Sequence, residues 1–128
     1  MSSQVVWLEE VASFPVEASF ISTIAALPGD RIATGHFQDD HVRVWTTTGE
    51  LVATLEGHTR NVLVLTTAPA GDILSGSEDG TVKVWRDNAC CVATLEGHTA
   101  AVTGLCIRDN GDVVTGSVDT MVRVWKHG

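Results

Sequence analysis

His58, Ser75 and Asp79 place an imidazole, a hydroxyl and a carboxylate within one short stretch, and His98, Thr115 and Asp119 repeat the set forty residues on. Such a trio can perform nucleophilic hydrolysis: the carboxylate orients the imidazole, which takes the hydroxyl proton. Two features oppose a hydrolase built on Ser75, His58 and Asp79. An active site is ordinarily unique, whereas this set occurs twice at constant spacing. Each copy also carries a tryptophan, Trp85 or Trp125, whose indole N–H is a donor that suits a structural hydroxyl. No catalytic residue is expected, and the chain is not expected to be an enzyme.

The other chemistry-bearing residues are sparse. Cys90, Cys91 and Cys106 are an odd number without metal-ligand spacing, and adjacent strand cysteines point to opposite faces. They read as reduced thiols packed as small apolar groups, as in an intracellular protein. No glycine-rich phosphate loop precedes a helix, and no basic stripe carries stacking aromatics. Neither a metal nor a cofactor is expected. A net charge of −8 opposes nonspecific binding to nucleic acid or anionic lipid. The start, MSSQVVWLEEVASF, lacks a basic n-region, and no run of 18 apolar residues occurs, so neither a signal peptide nor a transmembrane helix is expected. The expected location is the cytoplasm or the nucleus.

The residues that must be positioned are set on a ruler. The string VATLEGHT occurs at residues 52–59 and again at 92–99. Trp45, Trp85 and Trp125 fall forty residues apart, in HVRVW, TVKVW and MVRVW, and Asp39, Asp79 and Asp119 each precede their tryptophan by six. Gly-Asp pairs at 29–30, 71–72 and 111–112 introduce each segment. In the second unit NVLVLTTA, ILSGS, TVKVW and CVATL read as strands separated by the turns PAGD, EDG and RDNA. Four short antiparallel strands per forty residues make a propeller blade. With 44% hydrophobic residues, 19% charged residues and twelve glycines, the composition is that of a folded β protein.

On these residues the chain resembles the WD-repeat β-propeller family, over about residues 5–126. Gly57-His58 and Gly97-His98, each followed by Trp85 or Trp125, and SGSEDGTVKVW carry the resemblance; Thr46, Arg86 and Lys126 stand where the family's Asp follows the Trp. The expected fold is all-β, a single domain over residues 1–128 with three blades of four antiparallel strands and units at 5–46, 51–86 and 91–126. The resemblance implies a buried hydrogen-bonded chain in each blade: His58, Ser75, Asp79 and Trp85; His98, Thr115, Asp119 and Trp125; and Thr34, Asp39 and Trp45 without a matching Gly-His. In that first unit Asp39 is expected to reach solvent or another donor. His36 and His41 flank the turn and could stand in for the missing histidine, but the expectation is that both are exposed; VVWLE at 5–9 is expected to supply an outer strand, and stability to be lowest here.

Three blades cover only about 154° of a seven-bladed ring, so closure requires further blades or further copies. The family reading implies a non-catalytic scaffold that holds a peptide or partner domain on its loop face, where Phe37, Gln38, Arg60, Asn61, Glu78, Thr99 and Val118 are the candidate contacts. The other readings are a fragment of a larger WD-repeat protein with no independent function, and the hydrolase. NACCVATLEGHTAAV and VWKHG look somewhat like ubiquitin-handling adaptors related to the phospholipase-activating-protein group, which implies a ubiquitin moiety or degron-bearing partner.

Overall fold

Gly-Asp and Asp-Gly pairs cut the chain into short runs rich in β-branched residues, and each run is a strand. A computed structural model describes residues 8–16, 20–86 and 90–126. The first sheet comprises β1 (Ile21–Leu27), β2 (Arg31–His36), β3 (Val42–Thr46) and β4 (Leu51–Leu55). The second comprises β5 (Val62–Thr67), β6 (Ile73–Ser77), β7 (Val82–Arg86) and β8 (Cys90–Leu95). The third comprises β9 (Val102–Ile107), β10 (Val113–Ser117) and β11 (Val122–Trp125). All described pairings are antiparallel between consecutive strands. The described residues are thus all-β, in three sheets that do not close a ring. Among the described residues no helix is long and apolar enough to cross a membrane.

The Gly-Asp turns recur because each needs a left-handed residue: Gly71 (φ 101°) and Gly111 (φ 91°) donate N–H to Ala68 O and Arg108 O. The sheets are offset from the unit bounds 51–86 and 91–126, since residues 51–55 are β4 of the first sheet, but they follow the strand reading that makes CVATL the fourth strand of the second unit, as β8. Of the expected strand at 5–9, residues 5–7 lie outside the described residues, and Leu8 and Glu9 are exposed and in no strand.

A register shift near the start of each inner strand, as between Val62 and Val64, turns Val62 and Leu65 to the same face despite their odd separation. That face of the second sheet, with Ile73 and Trp85, packs on Ala33, Val42, Val44 and Leu55 of the first. Its opposite face, with Leu74 and Val82, packs on Val102 of the third, and Leu105 and Val113 extend the contact. The second sheet is therefore covered on both sides and each end sheet on one. On the first sheet's outer face Ile21 and Ile24 are bare, while Phe14 lies against Trp45 with ring centroids 5.9 Å apart. On the third, Val122 and Val124 are bare.

The cysteines differ from expectation. Cys90, Cys91 and Cys106 are free and exposed, not packed. The first two lie on β8, the edge strand of the second sheet, and Cys106 lies on the end sheet opposite Val114.

Candidate functional site

Ser75, at the centre of β6, has no exposed surface and His58 is 4% exposed. The His58 ring is delivered by the loop between β4 and β5. Gly57 before it permits the approach, because a Cβ there would lie 3.0 Å from Trp85 Cη2. Trp85 Nε1–H donates to Ser75 Oγ at 2.8 Å, and His58 Nε2 meets the same oxygen at 2.7 Å. His58 Nδ1 lies 2.9 Å from Asp79 Oδ2. An ionised carboxylate only accepts, so Nδ1 carries the ring proton, Nε2 accepts from the Ser75 hydroxyl, and Ser75 accepts from the indole. Every polar atom on this path has a partner.

The charges follow. Burial lowers the His58 pKa below its usual value, only partly offset by Asp79, so the ring is neutral at neutral pH. Burial works against ionisation of Asp79, but hydrogen bonds from Thr81 Oγ1, His58, and the Thr81 and Thr59 backbone outweigh it and hold the pKa down to about 2. In the third sheet Trp125 Nε1–H donates to Thr115 Oγ1 (3.0 Å), which lies 2.7 Å from His98 Nε2, and His98 Nδ1 lies 2.8 Å from Asp119. Burial again opposes ionisation of Asp119, and N–H groups of Met121 and Thr99 with the His98 ring outweigh it and lower its pKa. As chemistry, both sets have the atom order of a triad. Yet the Ser75 hydroxyl is sealed and already bonded on both sides, so it has no path to a substrate.

The first sheet solves the same problem differently. Trp45 Nε1–H donates to Thr34 Oγ1 at 2.9 Å, but the ring beside that oxygen is His36, with Nε2 at 2.8 Å. His36 is fully buried, contrary to the expectation that it is exposed. The signal was available: residues two apart on a strand share a face, so a histidine at 36 must join Thr34. Asp39 is held by the Arg43 guanidinium and by the His41 N–H (3.0 Å). Burial raises its pKa, but Arg43 and His41 outweigh this and bring it below the usual value. His41 is half-buried among Asp39, Asp40 and Glu56. Thr34 precedes its tryptophan by 11 residues where Ser75 and Thr115 precede theirs by 10, so this hairpin holds one extra residue and moves Asp39 out of line.

On the loop face, Gln38, Arg60 and Asn61 come together with Asp39, Asp40 and Thr59 around a shallow cleft of about 250 Å³ between the first two sheets. Glu78 stands behind it, accepting from Asn61 Nδ2 at 3.1 Å and lying 3.6 Å from Arg60 Nε. The remaining candidates lie apart. Phe37 is 44% exposed and Val118 64% exposed, and Thr99 gives its backbone N–H to Asp119.

Compared with known proteins, the family described as WD domain, G-beta repeat (WD40) matches residues 49–86 and 89–126. Among solved structures the chain is similar to the WD40 β-propeller domain of Doa1, with a TM-score of 0.77 and 24% identity over 84% of this chain. The match spans 37% of that structure's chain. No curated protein matches the sequence.

Proposed function

Because the chain belongs to the WD40 repeat family, we propose that it is a non-catalytic platform that holds a peptide or partner domain on its loop face. The observation that supports this reading is the cleft where Gln38, Arg60 and Asn61 meet two carboxylates. Its lining is polar throughout, and Arg60 lies 3.6 Å from Glu78 at one side. Arginine is among the residue types enriched at binding hot spots. Three free thiols support a reducing compartment, and the cytoplasm or nucleus is the location we propose.

A displayed peptide library selected on the purified chain tests the proposal. Enriched peptides should lose about 30-fold in affinity on Arg60→Glu, the effect of one hot-spot contact. Peptides that bind with unchanged affinity to Arg60→Glu and to Gln38→Ala would place the binding surface elsewhere.

A further inference from the structure

The two sheet–sheet interfaces share one device. Gly35 on β2 faces Val62, and a Cβ at Gly35 would lie 2.9 Å from Val62 Cγ1. Gly76 on β6 faces Val102 in the same way, with 2.8 Å to Val102 Cγ1. In each case a glycine opens a socket in the exit face of one sheet, and a β-branched side chain at the start of the next sheet's inner strand fills it.

The register identifies the corresponding residues at the free ends. Gly35, Gly76 and Gly116 pair with Val42, Val82 and Val122. Val62 and Val102 pair with Ser77 and Ser117, and Ile21 pairs with His36. Gly116 is therefore the third socket, and no described residue comes within 4 Å of a Cβ built there. Ile21 is the third knob, β-branched like the valines and 50% exposed. Around the socket Val122 (70% exposed) and Val124 (56%) are bare, and around the knob so is Ile24 (59%). Phe14 covers the Trp45 end of that face, and at the other end Ile21 is exposed among the described residues. Contiguous apolar surface of this kind marks an interaction site.

We propose that these two faces pair between copies: Ile21 of one copy enters the socket over Gly116 of a second, and two copies close a six-sheet ring. A second copy is the occupant because the chain's own first sheet presents the knob that its own last sheet lacks, in the register used twice inside the molecule. Two copies give six sheets, within the four to eight of typical propellers, whereas three give nine. A head-to-tail contact that closes after two copies is satisfied at both ends. The inference is independent of the peptide cleft.

Cross-linking tests it. At the internal interfaces the built Cβ lies 3.2 and 3.3 Å from the valine Cβ, close to the separation a disulfide spans. In a chain with Cys90, Cys91 and Cys106 replaced by serine, Ile21→Cys combined with Gly116→Cys should oxidise to a covalent dimer. Its yield should exceed by at least about tenfold that of either single variant or of the Ile24→Cys, Gly116→Cys pair, whose geometry does not satisfy the bond. In parallel, light scattering of the unaltered chain should give twice the chain mass at micromolar concentration, and Gly116→Val should give a monomer with unchanged circular dichroism. A unaltered chain that stays monomeric to several hundred micromolar overturns the proposal, as does a dimer whose mass Gly116→Val leaves unchanged. Equal cross-linking in the Ile24→Cys control also overturns it.

Discussion

The second and third sheets are built from nearly the same residues, yet equivalent positions have opposite fates. Val82 is 1% exposed, and Val122, in the same register, is 70% exposed. Trp85 is 2% exposed, while Trp125 is only half-buried. The hydrogen-bonded chain from tryptophan to aspartate is complete in both. What differs is the neighbour: Val82 is covered by the third sheet while no described sheet covers Val122, and Trp85 has β8 beside it while Trp125 lies on the edge strand β11. The local network is therefore a property of the repeat, and its burial is a property of the array.

Mutations should break or sharpen this contrast. The largest effect is expected from Trp85→Ala, a loss of about 3–5 kcal/mol in denaturant unfolding. Trp125→Ala should cost about half as much or less, and equal losses would break the comparison. Ser75→Ala leaves the His58 ring nitrogen and the Trp85 N–H without their partner and should cost about 2–4 kcal/mol. Ser75→Thr should restore most of it, since Thr115 and Thr34 occupy the same place in their sheets.

The pH dependence separates the two members of the chain. His58 has a folded pKa below 6.5, so the unfolded state takes its proton first; stability is full above that pH and falls as pH drops below it. Asp79 is lowered from 3.8 to about 2, so its contribution is present above 3.8 and lost as pH falls from there toward 2. Denaturation midpoints against pH should show both limbs, and Asp79→Asn should flatten the lower one. The smallest effect concerns the turns. Gly80 has φ 88° and Thr120, at the same place in the third sheet, has φ 71°. Thr120→Gly should stabilise by about 1 kcal/mol. Gly80→Thr should destabilise, because its Cβ would also lie 3.2 Å from the His98 carbonyl oxygen.

Much of this was legible in the sequence because the repeat constrains it. Tryptophan spacing and Gly-Asp turns locate the strands, and the positions of His58, Ser75 and Asp79 follow from the ruler. What escaped was whatever depends on a neighbour. His36 adjoins a turn, which favours the surface, but its strand parity with Thr34 turns it inward. Residue type favours the interior for the cysteines, but β8 is an edge strand and Cys106 lies on an end sheet. The first sheet was expected to be the weakest for want of a Gly-His. His36 buried on Thr34 and Phe14 over Trp45 supply the first sheet with contacts that expectation left out, and the exchange measurement below ranks the sheets.

The most direct test is hydrogen exchange of the indole N–H groups, followed by nuclear magnetic resonance in the Gly116→Val chain, whose third-sheet face is blocked. If neighbours set the stability of each repeat, the Trp85 indole should exchange at least about tenfold more slowly than that of Trp125, with Trp45 between them. Equal rates, or a slowest Trp125, would contradict the account and return the stability of each sheet to its own forty residues.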